Sequence, residues 1–434
     1  MRSWLWLSVI VLFGVSNSLL TSSSWATDLT IGEQRKNELS LPELVQRFVN
    51  AEDADEGRVL AKRIAVHPEA TVEAVSLLLQ GARRYAKMPV GIQPDQPIRV
   101  QGRVYRYGLF VPPFYDPSRS YGLIVCLHGA GFTGDSYLKR WVPRLKGDYL
   151  LACPTMSDGA WWTRQAEELV LATVAAVRSR YHIDSNKLFL TGMSNGGIGT
   201  WLIGMHRADQ FAGIAPMASG IDDVLYPFLD NLRQTAVYVI HGLYDRVMPV
   251  WLSRELVNEL DRRGIRYVYR EHHYRHPHAG GHFFPREELP GLIAWFDEQA
   301  RHSLPRHVTV VRDATHLQSF SWVRIDVTDR IAAFSENLID SRDELIEGKV
   351  YAKLDAKIIR PNDITVSTTH VKRYSLFLND QLIDFSRPIT IRTNGIVTYQ
   401  GMVHPSLSTL LREVRLRKDT SVLYPAQLTI DVTN

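Results

Sequence analysis

Apolar positions follow three successive rhythms along this chain. Between residues 27 and 95 they recur at helical spacing. Leu41, Leu44, Val45 and Phe48 mark one apolar face, and Val72, Val75, Leu78 and Leu79 mark another. Pro89, Pro94 and Pro97 break the pattern, so a small helical segment is expected, packed on the next part of the chain or standing as a leader. From Ile98 the rhythm changes. Val100, Arg103–Tyr107 and Leu109–Val111 read as paired strands, ended by Pro112 and Pro113. Leu123–Leu127 and Tyr149–Cys153 are continuous apolar runs, the mark of strands buried on both faces. A helix is predicted from about Ala166 to Tyr181, with Val170, Val174, Val177 and Tyr181 on one side. Further strands are expected at Lys187–Leu190, Gly213–Pro216, Ala236–Ile240 and Arg266–Arg270, and helices at Ile198–His206, after Pro249 and at Pro285–Ala300. Strands alternating with helices at this spacing predict a mostly parallel sheet covered on both faces.

Past Ser303-Leu304-Pro305 the period drops to two. Val308–Val311, Val323–Val327, Ile364–Val366 and Tyr374–Leu376 alternate, and Asn394-Gly395 sits between Ile389–Ile391 and Val397–Tyr399 as a hairpin signal. The expected organisation is therefore a leader at 1–26, a helical segment at 27–95, an α/β domain at 96–303 and a sandwich-like β domain at 304–434.

Composition narrows the class. The chain has 434 residues, 45% of them hydrophobic and 22% charged, an ordinary globular balance. Arg2 precedes an apolar run from Trp4 to Val15, too short to span a bilayer, and Ser24 and Ala26 suit signal-peptide cleavage near Ala26. The mature chain is then expected to be exported, periplasmic or secreted, and not membrane-bound. Loss of residues 1–26 removes Arg2 alone and leaves a small positive balance, too little for a nucleic-acid partner driven by charge. Cys126 and Cys153 both fall in apolar strands and read as buried free thiols. No Cys/His spacing matches a zinc site, so no metal is expected.

The chemistry gathers on Thr191-Gly192-Met193-Ser194-Asn195-Gly196-Gly197, a Gly-x-Ser-x-Gly run between a strand and a helix. A chain that turns so sharply lifts the serine hydroxyl above the sheet edge, at the positive end of a helix. Ser194 is the candidate nucleophile. It needs a base and a group that orients the base, both in loops at the carboxyl ends of later strands. Asp245 follows the strand ending at Ile240, and His282 follows the last strand in Gly280-Gly281-His282. Their rivals are Asp222 and Asp223 for the acid and His278 for the base. His272, His273, His276 and His278 crowd the same stretch without the spacing of a ligand set. The oxyanion donors are expected to be the backbone N–H of Asn195 and one from the His128–Gly131 turn, at Gly129 or Ala130, with His128 bracing that turn. Trp161 and Trp162 are candidates for the floor of a substrate pocket, with core filling as the plain alternative.

These pieces, together with Val111-Pro112-Pro113, Tyr115-Asp116-Pro117, Leu127-His128-Gly129, His241-Gly242, Pro249 and Phe283-Phe284-Pro285, resemble the secreted poly(3-hydroxybutyrate) depolymerase and feruloyl-esterase branch of the α/β-hydrolases over roughly residues 100 to 300. The order Ser, Asp, His is the one that fold uses. The resemblance implies a cofactor-free hydrolase of carboxylic esters, acting on plant-wall aryl esters, acetylated sugars or polyesters. Asn195 departs from the Met or Gln of many relatives. Two other readings stand beside it: a serine peptidase of the prolyl-oligopeptidase type, and a polymer-binding protein on a hydrolase fold without catalysis.

Overall fold

The computed structural model describes residues 39–432 apart from 52, 82, 144, 146–148, 313–318, 330 and 332–339; the expected signal peptide at 1–26 lies outside the described residues. Eight strands form the central sheet: β1 (Gly91–Val100), β2 (Arg103–Val111), β3 (Tyr121–Leu127), β4 (Tyr149–Thr155), β5 (Ile183–Met193), β6 (Gly213–Met217), β7 (Ala236–Gly242) and β8 (Tyr267–His272). Their order is β1-β2-β4-β3-β5-β6-β7-β8, with β2 antiparallel to its neighbours and the pairs from β4 through β8 parallel. The first strand starts at Gly91, so the expected boundary at residue 96 falls inside it. Pro94 and Pro97 are tolerated there because β1 is an edge strand and its register slips between Gln93 and Gln96.

Each face of the sheet is covered. Alternate residues of β3 separate the two sides, Leu123, Val125 and Leu127 into one apolar cluster and Ile124 and Cys126 into the other. Helices Arg164–Arg180, Asn195–His206 and Trp251–Arg262 pack on the first side, and Gly134–Trp141 and Leu289–Glu298 on the second. All seven residues of β3 are buried, as the unbroken apolar run predicts. Cys126 and Cys153 are buried free thiols on adjacent strands, and burial pushes the Cys126 thiol up.

The C-terminal part adds β9 (His307–Arg312), β10 (Ser319–Phe320), β11 (Val323–Thr328), β12 (Ala352–Arg360), β13 (Asp363–Thr369), β14 (Val371–Leu378), β15 (Ile389–Thr393), β16 (Ile396–Gly401) and β17 (Ala426–Asp431), which form two sheets of order β10-β11-β14-β17 and β16-β15-β13-β12-β9. Asn394 and Gly395 both adopt positive φ, 50° and 86°, closing the predicted hairpin of Ile389–Thr393 and Ile396–Gly401. Helices Asp340–Glu347 and Leu407–Arg417 interrupt the strands. The second begins at a Ser406 cap, whose hydroxyl accepts from the Thr409 amide, and buries Leu410, Leu411 and Val414. Those three side chains pack against the N-terminal helices Leu41–Asn50, Ala54–Ala65 and Val72–Gly81. The helical segment is therefore docked on the far end of the chain. Asn231 stitches the two main parts together, donating to the Met205 and Val311 carbonyls and accepting from the Val311 amide.

Candidate active site

Three carboxyl-end loops of the central sheet carry the predicted residues. Ser194 joins β5 to helix Asn195–His206 with φ 59° and ψ −125°, a conformation that costs a non-glycine residue about 1–3 kcal/mol. Its amide donates to the Met217 carbonyl at 3.0 Å, and its hydroxyl is not used to cap the helix. The turn is possible because its neighbours lack side chains. A Cβ on Gly196 would lie 2.1 Å from the Leu127 carbonyl oxygen, and one on Gly192 would lie 2.3 Å from that of Gly196.

Asp245 and His282 come together from two other loops. His282 Nδ1 donates to Asp245 Oδ2 at 2.8 Å, which leaves Nε2 as the basic nitrogen of that ring. The Asp245 carboxylate is fully buried, and its Oδ1 accepts from the amides of Val247 and Met248 at 2.8 and 2.9 Å. Burial works to raise this carboxyl. Hydrogen bonds from His241, His282, Met248 and Val247 outweigh that and hold it well below the usual carboxylate range. The two loops meet backbone to backbone: Asp245 bridges Gly280, and a Cβ on Gly242 would lie 2.0 Å from the Gly281 carbonyl oxygen. The rivals lie elsewhere. His278 is exposed, and Asp222 and Asp223 stand at the start of a 3₁₀ segment after β6.

The oxyanion candidates also converge. Gly129 abuts the elbow, since a Cβ there would lie 3.4 Å from the Met193 carbonyl oxygen and 3.5 Å from Ser194 Cβ. Asn195 opens a helix, so its backbone N–H has no partner within that helix. Its side-chain amide and Ala130 both lie beside Gly159. His128 is a brace, as expected. Its Nδ1–H donates to the Gly129 carbonyl at 2.9 Å and its Nε2 accepts from the Met156 amide at 3.0 Å. Burial lowers its pKa, which keeps the ring neutral in that role.

One expectation needs correction. Trp161 is wholly buried, its indole N–H donates to the His128 carbonyl at 2.8 Å, and it packs against Gly199 of the elbow helix. It supports the His128–Gly131 turn and has no exposed face for a substrate. Trp162 is half-buried against the main apolar cluster. The cavity at this rim lies on the opposite side of the elbow, has a volume of about 520 Å³, and is lined by neither tryptophan. Cys126, Met193 and Met217 line it at the ends of three neighbouring strands, with Trp141, Phe283 and Phe284 around them. Trp141 and Phe284 stack, centroids 6.2 Å apart. Sequence reading missed these residues because they come from five separate segments. It also passed over His241, whose signal was its place four residues before Asp245 at a strand end.

Among the described residues, no three His, Cys, Asp or Glu side chains group in a way that would hold a metal ion, and no helix is long and apolar enough to cross a membrane.

No family model matches the chain. Probable feruloyl esterase C of Aspergillus terreus is 28% identical over 172 residues, covering 37% of this chain and 61% of the relative. Feruloyl esterase C of Emericella nidulans is 27% identical over 164 residues, covering 35% and 58%. The chain thus spans about three fifths of the length of these relatives. Among solved structures, a thermostable esterase aligns at 29% identity over 48% of this chain and 63% of its own, with a TM-score of 0.40.

Proposed function

We propose, on the premise that this chain is an α/β-hydrolase, that it cleaves carboxylic esters through Ser194, His282 and Asp245. The observation that carries the reading is the buried Asp245–His282 hydrogen bond at 2.8 Å, set at the same sheet rim as a serine held in a strained elbow. In this reading His282 Nε2 takes the proton from Ser194 as its oxygen attacks the acyl carbonyl. The ring then passes that proton to the departing alcohol, and water later releases the acyl group from the serine by the same route. Asp245 fixes the imidazole tautomer and stabilises the imidazolium while staying ionised. The Asn195 N–H and a donor from the Gly129–Ala130 turn bind the oxyanion, each worth about 3 kcal/mol in the transition state.

The 520 Å³ cavity beside Met193 is the acyl site of this reading, its aromatic and thioether side chains suited to an aromatic acyl group, with Arg140, His276, Arg286 and Glu287 also lining it. Relatives named feruloyl esterase C make feruloyl esters the first substrates to try. Residues 1–26 are the export signal, which N-terminal sequencing of the mature protein checks.

The test compares wild type with Ser194→Ala on p-nitrophenyl acetate and methyl ferulate. The substitution is expected to lower kcat by at least roughly 1000-fold. Equal inertness of both proteins would transfer the reading to a polymer-binding protein, and faster turnover of chromogenic amides than of esters would make it a peptidase.

A further inference from the structure

We propose that His241 is a positioning residue of the hydrolytic site, its Nε2–H gripping the same Asp245 oxygen that His282 uses, so that one carboxylate oxygen is held between two imidazoles. The inference rests on the proposed roles of Ser194, His282 and Asp245, and adds a fourth residue to them.

His241 is the penultimate residue of β7, and its side chain is completely buried. Its Nε2 lies 2.8 Å from the Met248 carbonyl and 3.2 Å from Asp245 Oδ2. A carbonyl oxygen can only accept, so Nε2 carries a proton and shares it between the two oxygens. Nδ1 lies 2.7 Å from Ser253 Oγ, and that hydroxyl reaches the Ser219 carbonyl at 3.0 Å. The ring is therefore held at both nitrogens and cannot turn. Met248 closes the circuit, because its amide donates to Asp245 Oδ1 while its carbonyl accepts from His241.

Asp245 is consequently gripped on both oxygens, two amides on Oδ1 and two imidazoles on Oδ2. Loss of the His241 donor would let the carboxylate swing. It would also leave more negative charge uncompensated beside His282. The first effect misplaces the base, and the second favours its protonated form. A ring that merely filled core space would have neither effect.

The experiment uses the full chain and p-nitrophenyl acetate, with three substitutions at one site. His241→Phe keeps bulk without a donor, His241→Asn reaches only the position of Nδ1, and His241→Gln extends an N–H to the position of Nε2. The Phe and Asn variants are expected to lose kcat by roughly 10- to 100-fold with KM within about twofold. Their acid limb of kcat/KM is expected to move to higher pH by about half a unit. The other titratable groups facing this ring, Asp245 on its loop, Glu271 and His272 on β8 and His282 beyond, are unchanged by these substitutions. The Gln variant should recover most of the kcat and return the limb.

The inference is overturned if all three variants keep the wild-type profile, or if activity falls only in step with melting temperature. Should none of them fold, Ser253→Ala decides, since it frees Nδ1 and lets the ring turn off Asp245. An upward shift of the acid limb supports the role, and an unmoved limb refutes it. Ser194→Ala separates this from the parent reading: if that variant stays active the triad fails, whereas if it is inert and the His241 variants behave as wild type, only the present inference falls.

Discussion

Ser194 and Asp245 are each held in a state their side chains would not adopt alone. Ser194 occupies positive φ because the Gly192–Gly196 contact and the Met217 hydrogen bond leave the chain no other route. Asp245 stays ionised in a buried place because hydrogen bonds on both oxygens outweigh its desolvation. A carboxyl whose pKa is depressed loses its charge only when the pH falls well below the ordinary range, so it adds no limb to the rate profile at neutral or mildly acidic pH. The kcat/KM profile above about pH 5 is expected to carry one acid limb, and a second one there would show that Asp245 is not the orienting acid. Asp245→Asn keeps the shape but disfavours the Nδ1–H tautomer of His282, and its kcat should fall by roughly 10,000-fold. The same variant also loses a charge that four hydrogen bonds hold, so its melting temperature is expected to fall, and the kcat comparison belongs at a temperature where both proteins are folded.

The loops after β7 and β8 work as one element. Gly242, Gly280 and Gly281 let two backbones approach more closely than any side chain allows, and that approach puts His282 on Asp245. His278 sits on the same loop, only four residues earlier, yet it is exposed and outside the contact. Sequence spacing alone does not separate two histidines so close together; the backbone clasp does. Gly242→Ala places a methyl 2.0 Å from the Gly281 carbonyl oxygen, so the loops must part. Its kcat is expected to drop by roughly 100-fold while far-ultraviolet circular dichroism keeps the wild-type shape. Retention of full activity would mean that the clasp does not set the base.

Across the whole molecule, the chain closes on itself away from the rim that carries Ser194, Asp245 and His282. The N-terminal helices pack on Leu407–Arg417, and Arg415 donates to the Ala51 and Asp53 carbonyls. Asp419 sits between Arg301 at 2.8 Å and Arg178 at 3.6 Å, joining the C-terminal part to the α/β domain. Burial works to raise the Asp419 carboxyl, but Arg301, Arg178 and Ser421 outweigh it and hold it far below the ordinary range. Its contribution to stability is therefore present above the unfolded-state value of about 4 and is lost as the pH falls below that. Asp419→Asn leaves two arginines without their carboxylate and is expected to cost about 3 kcal/mol at neutral pH. Melting curves should show this penalty shrinking as the solution is acidified; a constant penalty would refute the linkage.

What the residues determined by themselves was local and periodic. The apolar runs of β3 and β4, the Gly-x-Ser-x-Gly turn, the Asn394-Gly395 hairpin and the order Ser, Asp, His are all written in short stretches, because backbone geometry responds to immediate neighbours. Tertiary structure decided everything that depends on distant segments meeting. It set His282 rather than His278 against Asp245, put Trp161 in the core and the cavity on the other side of the elbow, brought His241 onto Asp245, and docked the first helices on the last. The physical reason is that such contacts are fixed by which surfaces exclude water from one another after the sheet has formed, and no window along the chain records that choice.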